Sequence, residues 1–115
     1  MSTEPALFLS EALYVGRVHV VSSPFARMKG LLGRRSLPAG EGMLIVPANA
    51  IHTAFMRFAI DVVFFDAELR VVRWKSDLKP FLMAFGGRSA HSVLEMQSGW
   101  FEMAQLHAGM QAQLR

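Results

Sequence analysis

Between residues 52 and 65 the chain reads His-Thr-Ala-Phe-Met-Arg-Phe-Ala-Ile-Asp-Val-Val-Phe-Phe, an apolar run interrupted by three ionisable side chains. Taken as a strand, its even positions Met56, Phe58, Ile60, Val62 and Phe64 form one apolar face, while the odd positions carry Arg57 and Asp61 around Ala59. One face belongs to a core; the other holds two charges that must be paired or used. Arg57 and Asp61 would stand about 13 Å apart on such a strand, too far to pair with each other.

The same patterning predicts the neighbouring elements. Ala12 to Val21 alternates as one strand, Met43 to Val46 is a short buried strand closed by Pro47, and residues 58–75 read as a hairpin turning at Asp66-Ala67-Glu68. Ala90 to Met96 is a further strand, and Met110 to Leu114 a last one. Two short helices are expected. Ser23-Pro24 opens the first, with Phe25, Met28, Leu31 and Leu32 at helical spacing and Gly33 ending it; Ser98 caps the second, from Trp100 to Leu106. Residues 76–89, with the Lys79-Pro80 and Gly86-Gly87 signals, read as an irregular loop whose Phe81, Leu82, Met83 and Phe85 are too apolar for free solvation, and hence as a segment that folds over the barrel or covers a cavity mouth. The expected fold is mainly β (α+β by strict count), a jelly-roll-like sandwich or barrel with two short helices. Residues 1–10 are expected to be a flexible leader and residues 11–115 a single domain.

Composition narrows the function classes. The chain contains no cysteine, which excludes disulfides, thiolate zinc sites and cysteine nucleophiles. Eight methionines and nine phenylalanines supply much of an apolar content of 52%, enough to fill a core and leave surface for a partner such as a second copy. The longest stretch without Asp, Glu, Lys or Arg, Gly42 to Met56, is shorter than the roughly 20 residues a membrane span requires. The first sixteen residues lack a basic start and carry Glu4 and Glu11, so they do not read as a secretory signal, and the chain is taken as cytoplasmic. A net charge of +3 arises from local runs, Arg17 to Arg35 and Arg70 to Lys79, which read first as solvated faces and second as an anion footprint.

Arg27-x-x-Gly30-Leu31-Leu32-Gly33-Arg34, Gly42-Met43-Leu44, His52-Thr53-x-x-Met56-Arg57-Phe58-x-Ile60-Asp61-Val62-Val63-Phe64 and Val93-Leu94-Glu95 with Gly99 together resemble the successive motifs of the bacterial and archaeal family named domain of unknown function 192. The resemblance spans about residues 25–113 and implies a mainly β fold of jelly-roll-like or barrel type, with no established activity. Ala59 stands where the family usually has proline, and Phe55 where it often has glycine. Many members also carry a leader that is not recognised here.

Candidate binding residues are His52, Thr53, Arg57, Asp61 and Glu95, joined by Arg27 and Arg34, which could line a pocket for a small polar or anionic ligand. In the competing reading these charges pair within the protein. His52 with Asp61 or Glu95 could instead serve a small hydrolase or lyase, and a third reading is a structural protein acting through its oligomer interface. His52, Asp61, His91 and Glu95 include metal-ligand types without metal-ligand spacing, so no metal is assigned. No Walker loop or Gly-x-Gly-x-x-Gly is present, so no nucleotide cofactor is expected, and a nucleic-acid partner is disfavoured because Trp74 stands alone among basic neighbours.

Overall fold

A computed structural model describes residues 4–22, 37–54, 56–99 and 105–115. Among these residues ten strands follow in chain order: β1 (Leu7–Leu9), β2 (Ala12–Val15), β3 (Arg17–Val21), β4 (Glu41–Ile45), β5 (Ala50–His52), β6 (Ile60–Phe65), β7 (Val71–Leu78), β8 (Met83–Phe85), β9 (Ser92–Gln97) and β10 (Ala112–Leu114). They form three sheets: β10-β1-β2, β3-β4-β9-β6-β7, and the ribbon β5-β8.

The five-stranded sheet is the middle layer. On one face Val63 and Phe65 of β6 and Leu94 and Met96 of β9 pack with Leu7, Leu9, Val15 and Ala112 of the three-stranded sheet. On the other, Ile60, Val62, Phe64 and Val93 pack with Leu37, Met56 and Ile51 of the ribbon. Residues 60–65 are consequently all buried, as are 92–96. A strand covered on both faces reads as a continuous apolar run, which is why Ile60 to Phe65 lacks the alternation of a half-solvated strand.

The mainly β class holds, with several differences in detail. The middle sheet is open, with β3 and β7 as its edges, so it does not close into a barrel. The jelly-roll order is not seen: β3 and β4 run parallel, whereas a jelly roll is built from antiparallel neighbours. No α-helix occurs among the described residues; the first expected helix, and the second apart from Gln105 and Leu106, lie outside them. The predicted strand 12–21 is two strands, divided at Gly16, that serve different sheets.

The expected leader contributes β1, because Leu7 and Leu9 pair with Leu114 and Ala112 at the far end of the chain. The stretch read as one strand from 52 to 65 is also divided: β5 ends at His52 and β6 begins at Ile60. In the predicted loop, β7 continues to Leu78 and Met83–Phe85 forms β8 against β5. Among the described residues no helix is long and apolar enough to cross a membrane.

Gly86 joins the ribbon to the middle sheet. Its N–H donates to the Asn49 carbonyl at 2.7 Å, and an added Cβ would fall 2.4 Å from Cδ1 of Phe64 and 2.5 Å from Cβ of Ala90. Neither neighbour is a flexible chain end. Gly86→Ala should therefore destabilise the protein by about 1–3 kcal/mol through overpacking, read as a lower urea midpoint at unchanged m-value.

Candidate functional site

Where β4 ends, Val46 to His52 crosses the edge of the core and meets Phe85 to His91. Two hydrogen bonds hold the segments together, Ala48 N–H to the His91 carbonyl at 2.8 Å and Gly86 N–H to the Asn49 carbonyl at 2.7 Å, and Ala90 N–H to the Gly87 carbonyl at 3.2 Å closes a turn within the second segment. Three adjoining depressions share Asn49. One, of about 300 Å³, is lined by Pro47, Ala48, Ala90 and His91; a second, of about 210 Å³, runs along Ile45 and Pro47 to His52 with Val93; the third, of about 230 Å³, lies by Ala50, Phe85, Gly87 and Arg88.

Asn49, His52, Arg88 and His91 are exposed, and among the described residues their side chains make no hydrogen bond or ion pair. An amide, two imidazoles and a guanidinium on one rim supply donors for an anion and both donor and acceptor groups for a polar neutral molecule.

The residues expected to share a pocket are distributed differently. His52 lies on the exposed side of β5 and lines the second depression. Thr53 is fully buried and spent on backbone: its Oγ1 donates to the Lys79 carbonyl at 2.6 Å and accepts from Leu82 N–H at 2.9 Å. Arg57 is exposed in a bend before β6, so it does not share a strand face with Asp61. Arg27 and Arg34 lie outside the described residues.

Asp61 is 1% exposed, and its carboxylate receives two backbone N–H groups, Asp77 on Oδ1 at 2.8 Å and Gly99 on Oδ2 at 3.0 Å. Burial raises its pKa, and the two donors oppose that rise only in part. Tyr14 is raised too, first by burial and then by the charge of Asp61. Glu95 is wholly buried on β9, in register with Met43 and Val62 and alternating with Val93, which places it on the ribbon-facing side. Asp61 alternates with Val63 and Phe65 and faces the three-stranded sheet. The two carboxylates thus occupy opposite faces and do not address one reacting group, as a paired acid and base must. No cluster of three or more metal-ligating side chains occurs among the described residues.

Asn49 and Arg88 were not among the sequence candidates. Their signal was local: each lies in a connection beside Pro47 or Gly86-Gly87, where chain direction changes and polar side chains are left at the surface.

Layered β domains of this kind have been solved before. A protein of unknown function from Novosphingobium aromaticivorans superposes with a TM-score of 0.78 at 19% identity, covering 95% of this chain and 83% of that one. A protein from Sinorhizobium meliloti, described as a candidate transcription regulator, superposes with a TM-score of 0.77 at 17% identity, covering 97% of this chain and 94% of that one. At these identities the likeness concerns the fold. The chain belongs to the domain of unknown function 192 family, described as "Uncharacterized ACR", whose model matches residues 9–114. No curated protein matches the sequence.

The Asp61 geometry generates a prediction. Asp61→Asn replaces one carboxylate oxygen by an NH₂ that meets an N–H donor, so stability near neutral pH should fall by about 1–3 kcal/mol. The pH dependence has a defined sign. Because the folded pKa is raised, Asp61 favours folding fully below its unfolded pKa and loses that contribution as pH rises through the folded value. Urea titrations across the acid range should show the wild-type advantage over Asp61→Asn shrinking as pH rises; a constant or growing gap contradicts the assignment.

Proposed function

We propose that this domain binds a small polar or anionic ligand at the Asn49 face. One observation carries the reading: three adjoining depressions share Asn49, and the polar side chains around it, His52, Arg88 and His91, have no protein partner among the described residues. A rim of unspent donors on a backbone tied by short hydrogen bonds is preorganised, which lowers the ordering cost of binding.

In this reading His52 and Arg88 contact the ligand, while Thr53 holds the turn that leads into β8 and Asp61 serves the fold away from this face. Arg57 lies outside the three depressions and adds positive charge to the neighbouring surface. Arg88 is the lone cation lining them among the described residues, which suits a compact anion better than a nucleic-acid backbone that needs several phosphate contacts.

Thermal-shift titration with phosphate, sulfate, carboxylates, sugars and divalent metals tests the proposal. A ligand that binds only the folded protein raises the midpoint in a concentration-dependent way, by about 2.7 kcal/mol of apparent stability at a hundredfold excess over Kd. Asn49→Ala with Arg88→Ala should abolish that rise while leaving the unliganded protein within about 0.5 kcal/mol, since both are surface positions. A screen in which no compound shifts the midpoint, or an equal response from the double variant, overturns it.

A further inference from the structure

The ribbon carries a second surface of different chemistry. Phe81, Leu82, Met83 and Phe85 are 74%, 48%, 58% and 59% exposed. Four bulky apolar side chains contiguous on one turn and strand are unlike the scattered exposure of an ordinary surface, and such patches mark places where a partner sits.

Their exposure is built in. Thr53 binds the turn through its N–H to the Leu82 carbonyl at 2.9 Å, its carbonyl from Phe81 N–H at 3.1 Å, and its hydroxyl to Lys79 and Leu82. Ala84 packs against the core, so Met83 and Phe85, one residue to either side, project outward. Phe81 holds a φ of 64°, a left-handed conformation that bulky residues rarely adopt, within this tied turn.

Cations surround this tip. Arg73 Nη1 donates to the Phe85 carbonyl at 3.1 Å, and Lys75 lines with Trp74, Met83 and Phe85 an open depression of about 260 Å³. Arg88 lies beside Phe85, and Lys79 precedes the turn. Arg57 follows Met56, whose N–H shares the Thr53 carbonyl with that of Phe81. Asp77, an acid four residues before Phe81, is engaged by Ser98 at 2.8 Å and Lys79 at 3.6 Å.

We propose that this face docks peripherally on an anionic lipid bilayer, with Phe81, Leu82, Met83 and Phe85 entering the headgroup boundary and Arg57, Arg73, Lys75, Lys79 and Arg88 meeting lipid phosphates. Apolar burial combined with attraction to anionic lipid is what holds interfacial segments. The depression between Trp74 and Phe85 leaves room for a headgroup beside the inserted tip. A second copy fits less well, because a symmetric contact through this face brings two cationic rims together. A bilayer also accepts projecting side chains without a matching cavity.

Flotation of the full chain with phosphatidylcholine vesicles, with and without about 30 mol% phosphatidylserine, tests this, the anionic component supplying the surface potential. Wild type should float with the anionic vesicles alone and be released on raising salt from about 0.05 M to 0.5 M as the Debye length shortens. Phe81→Ser with Phe85→Ser, and separately Lys75→Glu with Lys79→Glu, should each weaken partitioning at least about tenfold, with circular dichroism and thermal midpoint preserved. The proposal fails if wild type does not float, or if either double variant floats as well as wild type. It fails equally if sedimentation equilibrium shows a wild-type dimer that the Phe81→Ser and Phe85→Ser pair dissolves, or if an acidic amphipathic peptide binds the face while vesicles do not.

Discussion

Double-sided burial of the β6-β9 pair is the constraint from which the remaining structure follows. Register joins Asp61 to Met96, Val62 to Glu95 and Phe64 to Val93, and every one of these residues lies between two further layers. Neither water nor a loop reaches the middle of this pair. A polar group placed there must find its partner inside the fold, because an unsatisfied buried charge costs more than most single contacts contribute. Asp61 meets that condition because it sits one residue from the end of β6, where the backbone N–H groups of Asp77 and Gly99 arrive from two other strands' ends. The carboxylate therefore ties the end of β7 and the turn after β9 to β6.

The same constraint drives exposed chemistry to the periphery. Strands whose two faces are both occupied offer little wall to a cavity, so one depression opens where the edge strand β7 meets the ribbon and three at the connections, residues 46–52 and 85–91. Short backbone hydrogen bonds across that junction give the connections the rigidity strands supply elsewhere. Side chains such as Asn49 and His91 can then be presented to solvent from a fixed backbone.

Much of the middle sheet was legible in the sequence because its strands announce themselves locally. Val62 to Phe65 is apolar and β-branched or aromatic, Asp66 supplies the turn by accepting from Glu68 and Arg70 N–H groups at 2.9 Å each, and β7 returns directly. What stayed hidden depends on distant partners. Leu7 and Leu9 look like part of a loose terminus until residues 112–114 arrive beside them, and no local pattern encodes that pairing. The alternation drawn through Arg57 and Asp61 misled for a related reason: apolar residues on both sides of residue 59 resemble one strand, whereas the chain leaves the ribbon, bends, and re-enters the middle sheet. Thr53 was read as a candidate ligand contact, and its hydroxyl holds the backbone of residues 79–82. A buried threonine used this way leaves the same trace in sequence as one that meets a ligand.

The ribbon concentrates the consequences in very few residues. Asn49 anchors one end of β8 through Gly86, and Thr53 anchors the other through Leu82, so three residues of strand are held at both termini by bonds from the β5 side. Between these anchors inward and outward side chains serve separate purposes: Ala84 and Ile51 close the core, while Met83 and Phe85 stay outside. The polar rim begins at the Gly86 end, where Phe85 borders both surfaces, and the rest of the apolar tip lies towards the Leu82 end. Two surfaces of opposite character can coexist over so short a distance because the intervening backbone has no freedom to let the apolar side chains fold back over the polar rim. Lengthening either connection would restore that freedom, and hydrophobic collapse of the tip onto the rim would then compete with both surfaces.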